Sequence, residues 1–219
     1  MNFEFMQRYL PWYLDAACLT VRIAFWGITF SLAIGILCST VLYLRIPVLR
    51  HTVSVYIELS RNTPLLVQLF FLYFGLPKAG VVWSAEACAI IGLAFLGGSY
   101  MTEALRSGLE AVEQNQLEAA ASLGMGTALT LRQIVLPQAA AVSIPGICAN
   151  VVFLIKETSV VSGIALADLM YVTKDLIGLY YETDEALWLL VIFYLILLLP
   201  VSLLSSVLER RLRYGIFGD

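Results

Sequence analysis

The run from residue 186 to 208 limits this chain most, because it is apolar throughout and interrupted only by Pro200. As a helix it is long enough to cross about 30 Å of hydrocarbon. Inside a bilayer every backbone amide must be paired within the protein, which leaves helices or closed barrels as spanning structures. Comparable runs cover 17–43, 53–76, 85–108 and 139–162. The sequence therefore predicts an all-α integral membrane protein with five transmembrane helices in one domain, 1–219. Composition agrees: 60% of residues are hydrophobic and 13% charged, with a mean hydropathy of +0.87. Soluble domains are nearer about 45–50% apolar and about 25% charged.

Residues 1–15 carry Phe3, Phe5, Tyr9, Trp12 and Tyr13 and suit an interfacial segment. Charge and aromatics are spread through it and no small-residue cleavage site follows, so a removable signal peptide is not expected. Arg22 is placed to snorkel to the headgroups. Cys18, Cys38, Cys88 and Cys148 lie in apolar runs without a CxxC, which points to buried free thiols. His51 is the only histidine and builds neither a metal site nor a triad. No Gly-Lys dipeptide is present, so the phosphate-cradling GxxxxGK[ST] loop is excluded. If ATP drives this protein, another chain binds it.

Positive charge orients the spans. Arg45, Arg50, Arg106, Arg132, Arg210, Arg211 and Arg213 fall on one side, and Arg8, Lys78 and Lys174 on the other. The richer side marks the cytoplasm, which puts the N-terminus outside and the C-terminus inside. The same count puts 114–137 of a multi-pass membrane protein in the cytoplasm.

Within that loop, Glu118 to Pro137 reads as two short helical pieces joined at Gly124–Met125–Gly126. Glu118 suits a first helical turn, and Ala119, Ala120 and Ala121 form helix without bulk. Gly124 and Gly126 permit the turn. Thr127 is placed to cap the second piece and Pro137 to begin a new segment. By itself this is either a docking element or a surface hairpin that caps its neighbours.

Two polar clusters interrupt the spans: Glu58, Arg61, Asn62 and Thr63, and then Lys156, Glu157, Thr158 and Ser159. Ionisable groups at membrane depth are costly and face a cavity or a partner. A cation can meet a carboxylate and Glu an ammonium, the chemistry of a zwitterion site. Alternatively Lys156 snorkels outward with Glu157 neutralising it, and Glu58 pairs with Arg61, three residues on, to brace the break at Pro64. Pro64 cannot donate to the carbonyl of Ser60, so the second span opens or kinks there. The acidic outer stretch, Asp168, Asp175, Glu182, Asp184 and Glu185, either attracts a cation or is ordinary solvated surface.

The spacing E-A-A, three residues, Gly, nine residues, I-x-L-P is filled by Glu118, Ala119, Ala120, Gly124, Ile134, Leu136 and Pro137. It resembles the cytoplasmic coupling loop of permease subunits in bacterial ABC importers. Arg61-Asn62-Thr63-Pro64-Leu65-Leu66 looks like the RGTPLL run of the polar amino acid permeases, with Asn62 where that run has Gly. Lys156-Glu157-Thr158-Ser159 looks like their KES or KDTS run. The resemblance covers about 17 to 213 and implies the type I importer permease fold. It implies coupling through Glu118, Ala119, Ala120 and Gly124, and substrate contact by Glu157, with Lys156, Thr158, Ser159, Arg61, Thr63 and Glu58 as further candidates. It also implies a separate ATP-binding cassette subunit that holds ATP and Mg, a second permease copy or sister permease, and an extracytoplasmic substrate-binding protein. No cofactor is expected in this chain and no nucleic-acid partner. The rival function is an ion-coupled carrier or channel whose intramembrane Lys and Glu form a relay. A membrane enzyme ranks last, for want of a metal set, an activated nucleophile or a cofactor loop.

Overall fold

The computed structural model describes residues 2–217, with side chains through Arg211. Arg213, counted above with the basic tail, lies outside the described side chains. Among the described residues the chain is helical, without strands. Helix α1 is Phe3–Tyr43, α2 is Pro47–Arg61, and α3 is Leu65–Phe70, which runs on through a widened turn at Phe71–Gly75 and a tight one at Leu76–Ala79. Helix α4 is Ala85–Glu110 and α5 is Gln114–Ser122. The four-residue α6, Thr127–Thr130, leads through a widened turn at Leu131–Val135 into α7, Leu136–Glu157, and a tight turn at Thr158–Ile164. Helix α8 is Leu169–Tyr180 and α9 is Thr183–Phe217.

Both widened turns stand two residues before a proline, Pro77 and Pro137. Each proline lacks the N–H that the carbonyl four residues back would accept, and a locally looser turn absorbs the missing bond. Four helical bodies are long and apolar enough to cross a membrane singly: Phe3–Tyr43, Ala85–Glu110, Thr127–Ile164 and Thr183–Arg211. The stretch 53–76, expected as a span, is not among these four; it is divided between α2 and α3 by the break at Asn62–Pro64.

Helix α4 is the axis of the bundle. Its most apolar window is 61% buried, against 11% for α9, whose Leu195, Ile196, Leu199 and Leu203 face outward as lipid-facing residues should. Gly27, Ser31, Gly35 and Ser39 form a buried stripe on α1 at four-residue spacing. Gly27 meets Leu93, Ser31 meets Gly97 and Gly35 meets Met101, so α1 and α4 run parallel at close range. Gly108 lies against Ala139 and Ser143, and Gly97 against Leu154, so α7 runs antiparallel to α4. A Cβ at Gly97 would sit 2.6 Å from Leu154 Cδ1 and closer still to Ser31 Oγ. Gly97→Leu is therefore expected to overpack all three helices, at a cost of about 1–3 kcal/mol or more. Thermal unfolding in detergent checks this against Gly178→Ala, where the added methyl enters open space; equal melting temperatures would refute it.

The start of the chain departs from the interfacial expectation. Residues 3–15 continue α1 through Pro11, and Phe5, Tyr9 and Tyr13 are buried against Leu169, Val172 and Leu176 of α8 and Ala186, Leu189 and Phe193 of α9. The Tyr13 hydroxyl is 2.9 Å from Thr173 Oγ1 and donates to the Ala186 carbonyl at 2.9 Å. Aromatic payload and a satisfied hydroxyl make this a second core. The first core joins Ile23, Leu65, Leu69, Leu93, Leu96, Leu154 and Val161. Arg22 does not snorkel freely; it grips Glu86 with two nitrogens, at 2.7 and 2.8 Å. Cys88 and Cys148 are buried and free as expected, Cys38 is half-buried, and Cys18 is exposed.

The acidic outer stretch is also not one surface. Asp168 is fully buried as the N-cap of α8, accepting from the amides of Tyr171 at 2.9 Å and Met170 at 3.3 Å. Burial pushes its carboxyl from 3.8 up to about 6, against the two amides and Lys174, which lower it. Between those two values the native state holds more protons than the unfolded chain, so stability falls as pH rises from about 4 to 6, by on the order of 2–3 kcal/mol. Asp168→Asn, which can still cap, should flatten that slope. The apparent melting temperature at pH 4.5 and pH 7 checks it, and an unchanged slope in the variant rules it out.

Candidate functional site

The break between α2 and α3 builds one wall of the site. Tyr56 and Ser60 of α2 donate to the Phe95 carbonyl of α4 at 2.7 and 2.9 Å, and Ser60 also donates to Ser99 Oγ at 3.0 Å. These bonds fix the rotation of α2 on α4. Asn62 ends the helix with ordinary backbone angles, φ −91° and ψ 2°, so no glycine is needed there. Its side-chain amide donates to the Glu58 carbonyl at 2.8 Å and Glu58 Oε2 at 3.0 Å. The Ser60 carbonyl that Pro64 leaves without its helical donor is served by Gln68 Nε2 at 3.1 Å, and the same amide reaches Thr63 O at 3.1 Å and Thr63 Oγ1 at 2.9 Å. Gln68 was not singled out from sequence. Its signal is a lone amide four residues after a proline in an apolar run, the position from which it can replace the bond the proline removes.

A cavity of about 450 Å³ opens beside this break. Arg61, Asn62, Thr63 and Pro64 line one side, Leu96 and Tyr100 of α4 the back, and Phe153, Glu157 and Val160 the other side. Arg61 and Glu157, ninety-six residues apart in sequence, thus share one chamber with a hydroxyl, an amide and two aromatic rings. Arg61 lies about 21 Å along α2 from Pro47, roughly two-thirds of the way across about 30 Å of hydrocarbon for a span that begins at one face.

Not every candidate is in this chamber. Arg61 does not pair with Glu58; its Nη1 is ion-paired with Glu103 of α4, and its guanidinium lies 5.0 Å from the Tyr100 ring centroid. Glu58 is instead tied to Asn62. Lys156 is exposed and absent from the cavity wall, one residue from Glu157 but on another face. Thr158 is buried and gives its hydroxyl to the Ile155 carbonyl at 2.7 Å, and Ser159, half-buried, is not among the lining residues. Glu157 and the Arg61–Thr63 segment remain as the chemistry available to a small polar ligand.

At the other end of the bundle, α5 ends in a Schellman turn. Gly124 has φ +75°, its N–H bonds the Ala121 carbonyl at 3.0 Å, and the Met125 N–H bonds the Ala120 carbonyl at 3.0 Å. The second piece begins at Thr127 as expected, but Gly126 is its cap and Thr127 its first helical residue, without a side-chain capping bond. Glu118 sits mid-helix and exposed, not in the first turn, because α5 starts at Gln114. Ala119 and Gly124 are also exposed, Ala120 is buried against its own chain, and Leu123 is 81% exposed at the tip. The turn between α1 and α2, the end of α4, this loop and the end of α9 all lie at one end, because α1 and α4 run parallel and α7 returns against them.

A parallel and antiparallel bundle with a broken span, a chamber of opposite charges and an exposed helical loop at one end defines a membrane-spanning permease subunit. Residues 27–214 match the family described as the binding-protein-dependent transport system inner membrane component. The chain belongs to that family and is a multi-pass inner-membrane transport component. It is 35% identical over 174 residues to a probable amino-acid ABC transporter permease protein, PatM, of Vibrio harveyi, covering 77% of each chain. It is 33% identical over 210 residues to a probable glutamine ABC transporter permease protein, GlnP, of Bacillus subtilis, covering 95% of each. Among solved structures, an amino acid ABC transporter with histidines superposes at a TM-score of 0.88 with 31% identity, covering 96% of this chain and 99% of that one. The inward-facing MetNI methionine ABC transporter superposes at 0.78 with 17% identity, a likeness of fold. The expected type I importer permease fold is therefore the fold of this protein.

Proposed function

We propose that this chain, acting as one permease domain, carries a polar or charged amino acid inward by alternating access, driven by ATP hydrolysis in a separate subunit. The observation that carries the reading is the shared chamber: Glu157 can accept an ammonium or guanidinium from one side while Arg61 can meet a carboxylate from the other. A volume of about 450 Å³ suits a single amino acid. The relatives' names, amino-acid and glutamine permeases, support that substrate class.

ATP and Mg then belong to the partner, an ATP-binding cassette subunit that grips α5 and the turn at Gly124. A second permease, a copy of this chain or a sister, completes the pathway, and a substrate-binding protein delivers the amino acid from outside. The excess of Arg at the loop end supports placing that end and the C-terminus in the cytoplasm, with the N-terminus outside. Reconstitution of this chain with its ATPase and binding protein in vesicles tests the reading. ATP-dependent uptake of at least one of histidine, glutamine, arginine or cystine is expected; an assembled complex that imports none of them refutes it. Uptake that follows an ion gradient without ATP would favour the carrier reading instead.

A further inference from the structure

The chamber already described is backed by Leu96 and Tyr100 of α4. One turn further along, Glu103, Arg106, Ser107 and Glu110 lie on an open face of the same helix, toward the coupling loop. The ion pair from Arg61 to Glu103 ties the chamber wall to that face, and Tyr100 lies against the same guanidinium. Arg61 is the one cation among the residues lining the chamber. A substrate carboxylate entering that chamber therefore finds its partner already occupied by a protein carboxylate.

The side chains of Arg61 and Glu103 are 37% and 45% exposed. Charges open to this degree at membrane depth face water or a second subunit rather than lipid. A pair in contact with water contributes about 0–1 kcal/mol, so it can be exchanged. The guanidinium carries five donors in a planar fork and accepts any carboxylate of suitable geometry. The pair at Arg22 and Glu86 differs, since both its carboxylate oxygens are engaged and neither residue lines the chamber.

We propose that Glu103 is an internal stand-in for the substrate carboxylate. It holds Arg61 while the chamber is empty; a bound amino acid's α-carboxylate takes its place and frees the tie between the end of α2 and the cytoplasmic half of α4. Glu103 is thus a positioning residue that ties substrate occupancy to the conformational step. This rests on the amino-acid importer reading above.

The test uses the full complex in nanodiscs and vesicles, with histidine and arginine as probes beside their decarboxylated forms, histamine and agmatine. With Glu103→Gln, the imported amino acid should bind up to about fivefold tighter and ATP turnover without substrate should rise by up to about fivefold, since the competitor and the latch are both gone. The decarboxylated amine should gain no affinity. Glu103→Asp, which keeps the charge on a shorter arm, should shift both readouts less and in the same direction. The double exchange Arg61→Glu with Glu103→Arg should restore low idle turnover without restoring uptake. Restored uptake would make the pair an ordinary brace and overturn the proposal, as would unchanged affinity and idle turnover in both single variants, or equal tightening for the amine. A wild-type complex that imports no amino acid would sink the importer reading and this inference with it, whereas a working wild type beside an indifferent Glu103→Gln sinks the inference alone.

Discussion

Glu157→Gln is expected to lower ATP-driven amino-acid uptake by about a hundredfold while the chain still inserts and assembles. The acid stands half-buried on the wall of the 450 Å³ chamber, between Phe153 and Val160, with Arg61 lining the same chamber. Glutamine keeps the shape and an acceptor oxygen but removes the charge that meets a cationic group. Truncating one partner of a desolvated charge pair costs about 2–5 kcal/mol, and ~3 kcal/mol corresponds to roughly a hundredfold in affinity. The loss should appear in half-saturation for uptake, with idle ATP turnover near that of the wild type. Lys156→Gln, one residue away but outside the chamber, should change uptake far less. Equal losses in the two variants would mean that the helix as a whole, and not the acid in the cavity, is what substitution disturbs.

Gly124→Asp is expected to abolish coupling and leave the membrane domain standing. The residue has φ +75°, and nothing lies within 4 Å of where a Cβ would be. The cost to the chain itself is the left-handed conformation, about 1–2 kcal/mol for an L-residue and less for Asp. Gly124→Ala bears at least as large a conformational cost, without charge or length. The expected pattern is a similar small drop in melting temperature for both variants. Only Asp should reduce substrate-stimulated ATP turnover, by more than about tenfold, because the obstruction is in the partner's groove beside Leu123. Uptake at wild-type rate in Gly124→Asp, or an equal uptake loss in both variants, would remove the loop from the coupling role.

Much of this was legible in the chain. Runs such as 85–108 and 186–208 admit one conformation in hydrocarbon, so the spans followed from composition and length. The loop was legible because turn chemistry is local: Gly124 takes the left-handed position that ends α5, wherever α5 sits. The two polar clusters were legible because ionisable residues are rare and costly at that depth. The stripe Gly27, Ser31, Gly35 and Ser39 was equally readable from its four-residue spacing.

The tertiary structure decided which of two neighbours does what. Adjacent helical residues point about 100° apart, and the packing of α7 places Glu157, rather than Lys156, on the cavity wall. In the same way, Arg61 could reach Glu58 along its own helix, but the bonds from Tyr56 and Ser60 to the Phe95 carbonyl turn it toward Glu103. Hydrophobic period and turn residues act over a few positions and are written in the sequence. The phase of one helix against another is set by packing between residues far apart in the chain, and it was that phase that brought residues 61, 100, 103 and 157 to one place.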